Sequence, residues 1–190
     1  MLEFVAIEVF ADDDAATFNP IVGFRNSYKF VEGESLKTEF PADAYYIMSP
    51  DFPKDIGCYD VLHVIGAELV VSSKVKSFFE SENVLGLEFL AVDVFNHKKR
   101  KVSDDYFIVN TLNIIDCLDK DKTSYKWNAL DSESMIDVKN MTIIESKVPE
   151  EVSLFRVKYV NNLLIFRRSL LDKMLEQGFH YFEPIELVDI

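Results

Sequence analysis

The stretch ELVVSSKVKSFFESENVLGLEFLAVDV, residues 68–94, places an apolar run, a short helix signature and a second apolar run in succession. The stretch LLIFRRSLLDKMLEQGFHYFEPIELV, residues 163–188, repeats that order. Both predict a helix followed by a strand, with Ser73 and Ser169 at the N-cap positions, where a hydroxyl accepts from a free backbone N–H. Apolar residues at i, i+3 and i+4 give each helix one buried face: these are Val75, Phe78 and Phe79 in the first, and Leu171, Met174 and Leu175 in the second. We predict a duplicated helix-strand unit, and chance convergence of two common patterns stays open.

The rest of the chain reads as short strands and loops. LEFLAVDVF and DYFIVNTLNII, joined by NHKKRKVSD over residues 96–104, form a hairpin signature. LEFVAIEVF, residues 2–10, predicts a largely buried strand, and the pair Asn161-Asn162 suits a tight turn. The predicted fold class is α+β, strand-rich, with a mostly antiparallel sheet and a few short helices. We expect one compact domain, in which a strand and loop region at residues 1–60 packs on residues 61–190.

Composition limits the class of protein. The 190 residues carry 20 basic and 33 acidic side chains, a net charge of −13, yet 48% are hydrophobic, which is too apolar for a disordered acidic chain. The sequence has no apolar run of about 18 residues and no basic stretch before an apolar one at its start, so we expect no membrane span and a cytoplasmic location. Cys58 and Cys117 lie far apart and predict free thiols.

Motifs for catalysis are weak. Asp116, Asp119 and Asp121 could ligate a divalent cation or act as an acid and base, but a calcium loop from Asp119 would need Gly at Ser124 and Glu at Leu130. The three histidines lie in separate segments, and no nucleophile elbow or phosphate-binding glycine loop is present. We therefore predict no enzyme activity and no cofactor, with a metal-dependent hydrolase using these carboxylates as the alternative.

Two polar segments are candidates for binding. The basic run of residues 98–101 fits a solvated hairpin tip better than a nucleic-acid patch, because the acidic chain repels phosphate. The loop DKDKTSYKWN, residues 119–128, presents Tyr125 and the only Trp, Trp127, among polar residues. Such aromatics dominate binding energy at interfaces, although they could instead fold back over the core.

The segments YFIVNTLNIIDCLDKDKTSY (residues 106–125) and VPEEVSLFRVK (residues 148–158), followed by the second helix-strand stretch, are similar to a bacterial polymorphic-toxin immunity family. That family was formerly a domain of unknown function and has a Myxococcus member as its type. The similarity spans residues 61–188 and rests on apolar strand patterns. These patterns contain Asn110, Asn113, Asp116, Leu118, Asp119, Ser124, Tyr125, Phe155 and Arg156. It implies a non-enzymatic cytoplasmic protein that binds and neutralises a cognate toxin.

The net charge favours a basic toxin as the partner, since opposite charge steers association. We predict that the partner contacts lie in the aromatic loop, with the acidic run near the chain start as a second candidate. These residues are Asp119, Asp121, Tyr125, Trp127, Asp12, Asp13 and Asp14. A regulatory protein-binding module is a further alternative, and the oligomeric state stays open. Separately, Arg156 lies in an apolar strand and is predicted to pair with a carboxylate.

Overall fold

The computed structural model of the protein describes residues 3–11 and 14–190. Within these ranges the chain forms strands, two α-helices and short 3₁₀ turns. The strands are β1 (Phe4–Val9), β2 (Thr17–Phe18), β3 (Tyr45–Ile47), β4 (Val61–Val64), β5 (Leu69–Ser72), β6 (Leu87–Phe95), β7 (Lys101–Thr111), β8 (Ile114–Ile115), β9 (Ser124–Trp127), β10 (Met135–Lys139), β11 (Leu154–Val157), β12 (Val160–Arg167) and β13 (Phe182–Glu186). The helices are α1 (Ser73–Ser81) and α2 (Arg168–Glu176), and the 3₁₀ turns are Ser27–Val31, Glu145–Lys147 and Leu187–Asp189.

The two strand-helix-strand stretches share one topology. β5 and β6 both pair antiparallel with β7, so they run parallel to each other, with β7 between them and α1 connecting them. In the same way β12 and β13 both pair antiparallel with β1, and α2 connects them. Each stretch is therefore a split β-α-β unit with a strand from elsewhere in the chain at its centre. A duplication behind this likeness stays a prediction.

The strands form two large sheets and one small one. The larger sheets have the orders β2-β4-β5-β7-β6-β3 and β13-β1-β12-β11-β8, and β9 and β10 form a separate hairpin. The pairings β2 with β4, β3 with β6 and β8 with β11 are parallel, whereas the others between these strands are antiparallel. The predicted α+β class is confirmed, but both large sheets are mixed. Residues 3–60 contribute strands to each of them.

Both helices bury their apolar faces in one core cluster that also receives side chains from both large sheets. Val75 and Phe79 of α1 and Met174 of α2 are fully buried, as the periodicity indicates. Leu175, however, is 41% exposed, and Leu170 takes its place against the core. The face of α2 is thus turned by part of one helical turn from the predicted one.

The predicted serine caps are wrong by one or two positions. Ser72 and Arg167 occupy the N-cap positions, and neither side chain makes a capping hydrogen bond. Ser73 is the first residue of α1, and its hydroxyl donates to Asp105 of β7 at 2.6 Å. Ser73 therefore ties the helix to the sheet beneath it instead of capping the helix.

The hairpin of β6 and β7 is confirmed, and the basic run lies at its exposed turn. The Asn96 side chain accepts hydrogen bonds from the backbone amides of Lys98 and Arg100, which closes the turn. The second predicted turn, at Asn161-Asn162, is wrong because both residues lie in β12. The chain instead turns three positions earlier, at Lys158 and Tyr159, where Tyr159 adopts a φ of 74°.

Arg156 in β11 is fully buried, but the predicted carboxylate pair is wrong. Its guanidinium donates to the carbonyl of Asn161 at 2.7 Å and to the carbonyl of Ala67 at 3.0 Å. Those carbonyls belong to β12 and to the loop before β5, so the side chain joins the two large sheets. Burial lowers the pKa of Arg156 to about 10, partly offset by the charge of Glu68, so the group is still protonated at neutral pH.

Glu88 anchors the long loop that follows the first 3₁₀ turn. Its carboxylate, 3% exposed as part of β6, accepts hydrogen bonds from the Ser35 hydroxyl, the Leu36 amide and the Asn110 side chain. Burial alone would raise the pKa of this carboxyl group, but these hydrogen bonds, helped by Lys37, outweigh burial and hold the pKa below its ordinary value of 4.5.

We expect Glu88→Gln to lower the free energy of unfolding by about 1–3 kcal/mol at pH 7, because an amide cannot accept all three hydrogen bonds. The carboxyl pKa is lower in the folded state than in the unfolded state. Its stabilisation is therefore complete above the unfolded pKa and is lost as the pH falls through the folded one. Urea unfolding from pH 7 to pH 3 should show the difference from wild type shrinking below about pH 4.

Glu151→Gln, at an exposed position, is the matched control and should change stability little at any pH. A difference between wild type and Glu88→Gln that stays constant down to pH 3 would contradict an ionised Glu88 in the fold.

Candidate partner-binding surface

The loop that leads into β9 is organised by Asp119. Its carboxylate pairs with Lys122 at 3.1 Å and accepts a hydrogen bond from the Asp121 amide, and its side chain is only 16% exposed. The hydrogen bond from Lys122 is the main reason why the pKa of Asp119 is lowered. Asp119 is therefore turned toward its own loop, whereas Asp121 is exposed. The partner contacts predicted for both remain predictions.

Tyr125 and Trp127, the other predicted contacts in this loop, lie on β9 and meet a third ring. We call Tyr125, Trp127 and Tyr159 the aromatic cluster. The Trp127 ring stands edge-on to Tyr125 and to Tyr159, with centroids 5.7 Å and 5.5 Å away. Tyr125 and Tyr159 pack against the core, but Trp127 is 45% exposed. The cluster is thus a supported aromatic platform with one accessible ring.

Lysines flank the aromatic cluster. The Lys120 ammonium lies 4.2 Å from the Tyr159 ring centroid and 5.5 Å from that of Trp127, and Lys158 lies 5.0 Å from Tyr159. Lys126 on β9 pairs with Asp137 on β10 at 2.7 Å. The charge around the cluster is therefore mixed, and the loop is less acidic than Asp119 and Asp121 suggest in the sequence.

A groove with a volume of about 1090 Å³ opens beside the aromatic cluster. It is lined by β10, which is an edge strand, and by Tyr28 and Glu32 from the segment around the first 3₁₀ turn. The turn at Lys158 and Tyr159 and the start of β12 also line it. The amide of Met135 donates to the Tyr159 carbonyl at 2.8 Å, which fixes the hairpin of β9 and β10 to the five-stranded sheet.

The sequence did not indicate the groove. Its acidic side chains come from three separate segments: Glu32, then Asp131 and Glu133, and finally Asp137. Only the stretch of residues 131–133 could have been noticed as a local acidic loop, since Glu32 lies about 100 positions earlier.

The second predicted acidic site is in a different place. Asp12 and Asp13 lie outside the described residues. Asp14 accepts a hydrogen bond from the Tyr59 hydroxyl, and Tyr59 stacks on Tyr181 at 3.9 Å between centroids. The hydrogen bond to Asp14 is the main reason why the pKa of Tyr59 is raised. This pair of rings shares no residue with the aromatic cluster or with the lining of the groove.

The alternative metal site is not assembled. Within residues 3–11 and 14–190, no three His, Cys, Asp or Glu side chains come together as a metal ion would require. Asp116, Asp119 and Asp121 are all in these ranges, so their closeness in sequence does not give a coordination shell.

None of the described helices is long and apolar enough to cross a bilayer.

Comparison with known proteins identifies the family of the chain. A family model described as "Immunity protein family (Imm11)" matches residues 46–187, which contain β4 to β13 and the whole aromatic cluster. The chain belongs to the Imm11 immunity protein family. The similarity to a polymorphic-toxin immunity family read from the sequence agrees with this membership. A search of curated proteins found no match.

Four of the residues that carried the resemblance to an immunity family hold the fold together. Asn110, Phe155 and Arg156 are completely buried. The Asn113 side chain donates to the carbonyls of Leu85 and Leu154, at 2.8 Å and 3.0 Å, and so links β11 to the chain just before β6. None of these four residues lines the groove. These four residues therefore belong to the scaffold, whereas Tyr125, which also carried the resemblance, is part of the aromatic cluster.

Proposed function

We propose that the protein is a non-enzymatic immunity protein that binds a cognate bacterial toxin and neutralises it in the cytoplasm of the producing cell. Membership of the Imm11 family supports a toxin as the partner. The observation that carries a binding role is the exposed Trp127 ring, held edge-on by Tyr125 and by Tyr159, and Tyr159 also lines the groove. Rigid, partly exposed aromatics of this kind are typical anchors of protein interfaces.

The proposed toxin is cationic. A net charge of −13 gives the protein a field that accelerates the approach of a basic partner and slows that of an acidic one.

Both cysteines are free thiols, which suits the reducing compartment proposed here. Cys117 is buried and Cys58 is half-buried, and burial raises the pKa of each thiol.

Co-expression with the product of the adjacent gene tests the proposal. We expect that product to stop growth when expressed alone and to be tolerated when this protein is present, with a complex recovered by pull-down. Continued killing in cells that contain the folded protein would contradict the proposal. The association rate should also fall as salt rises to about 0.5 M, where the Debye length is about 4 Å. A rate that is unchanged by salt would contradict a cationic partner.

A further inference from the structure

The groove beside the aromatic cluster contains carboxylates that form no ion pair within the described residues. Glu32, Asp131 and Glu133 line it, are exposed, and take part in none of the ion pairs formed within residues 3–11 and 14–190. Asp137 is a fourth acidic lining residue, already paired with Lys126, and Lys158 is the basic one. The groove is therefore negative, in contrast to the mixed charge around Trp127.

Apolar side chains in the same groove are accessible. Of its lining residues, Ile136 on β10 is 45% exposed and Tyr28 is 59% exposed, while Met135 and Val160 are buried. A groove that combines apolar walls with acidic side chains suits an occupant that presents both apolar and basic groups. Its volume of about 1090 Å³ is slightly above the roughly 300–1,000 Å³ typical of small-molecule sites, which favours a length of polypeptide.

Two features of the walls favour an extended occupant. β10 is an edge strand, so its outer side is not paired with another strand of the described structure. The Oδ1 of Asn161, which also lines the groove, is buried and has no hydrogen-bond partner among the described residues. A backbone or side-chain N–H of an inserted segment could satisfy this acceptor, and buried acceptors are seldom left without one.

We propose that the groove receives an extended segment of the toxin that carries lysine or arginine. The aromatic cluster, which adjoins the groove through Tyr159, contacts the toxin beside this segment. This inference rests on the proposed function, because it names the chemistry of the segment that the same partner inserts. Glu32, Asp131 and Glu133 pair with its basic side chains, and Ile136 and Tyr28 cover its apolar ones.

Charge reversal in the groove tests the inference against a matched control. Glu32→Lys with Glu133→Lys changes the net charge by +4, from −13 to −9, and Glu150→Lys with Glu151→Lys, at exposed positions outside the groove, makes the same change. Both variants weaken long-range steering equally, so a difference between them reports on the groove itself. Titration calorimetry with the adjacent gene's product at 0.15 M salt should show the groove variant binding at least tenfold more weakly than the control variant.

Photo-crosslinking provides a second readout. A photoreactive phenylalanine at Ile136, in the groove, should capture the same product, whereas one at Leu175, which is 41% exposed on α2, should not. Equal affinities of the two charge variants, or capture at Leu175 alone, would overturn the groove as the binding site while leaving toxin binding intact. Failure of the wild-type protein to bind the product would instead overturn the proposed function, and the groove inference with it.

Discussion

Arg156→Ala is expected to lower the free energy of unfolding by about 2–5 kcal/mol. The substitution removes the donors for the Asn161 and Ala67 carbonyls and leaves a cavity where a fully buried side chain joined the two large sheets. Urea unfolding followed by circular dichroism should show a lower midpoint with a similar slope, since the surface exposed on unfolding changes little.

Conservative variants separate the causes of that loss. Arg156→Lys keeps the charge but cannot present a planar fork to two carbonyls, so we expect an intermediate loss. Arg156→Met keeps most of the side-chain volume and removes the cost of burying a charge. It should therefore also lower the free energy of unfolding less than Arg156→Ala does. Arg100→Ala, at the exposed hairpin turn, should cost less than about 0.5 kcal/mol. Equal stability of Arg156→Ala and wild type would contradict a structural role for this arginine.

Trp127→Ala is expected to weaken binding of the adjacent gene's product by roughly 30-fold or more, which corresponds to about 2 kcal/mol at an interface anchor. The reason is geometric: Trp127 is the accessible ring of the aromatic cluster, and its two neighbours hold it in place before a partner arrives. The dissociation constant measured by calorimetry is the direct test, and rescue of growth in co-expression is the cellular one.

Phe52→Ala is the control, because Phe52 is 49% exposed and lies away from the groove and the aromatic cluster. It should leave the affinity within about twofold. Thermal melts should show that both variants are folded, with Trp127→Ala the less stable of the two because it loses the ring contacts with Tyr125 and Tyr159. Affinity that is unchanged by Trp127→Ala, with a folded protein, would exclude the aromatic cluster as an anchor.

Local patterns in the sequence were sufficient to predict many elements of the fold. The hairpin of β6 and β7, the two helices and the buried strand β1 were all predicted from the periodicity of apolar residues, which depends only on neighbouring positions. The errors were also local. Three serines lie near the starts of the helices, so the sequence could not decide between Ser72 and Ser73, and positive φ at Tyr159 is unusual for a residue of that type.

The candidate surface could be predicted only in part. Tyr125 and Trp127 were found because aromatic residues are conspicuous in a polar loop, but Tyr159 joins them from a turn about 30 positions later. Glu32 and Glu133 both line the groove, and no pattern in the sequence connects residues so far apart. Arg156 was expected to find a carboxylate because the sequence does not reveal that two backbone carbonyls would face it.

The position of β1 between β12 and β13 has a consequence for the order of folding. Val5 is paired with Phe166 and Glu186, at separations of 166 − 5 = 161 and 186 − 5 = 181 positions. On a ribosome, therefore, the five-stranded sheet cannot close until β12 and β13 have been made. The hairpin of β6 and β7 needs only neighbouring residues and should form early, since short loops close at the lowest entropic cost. Before β12 and β13 have been made, β1 is an unpaired apolar strand. A nascent chain is most exposed to aggregation during this interval.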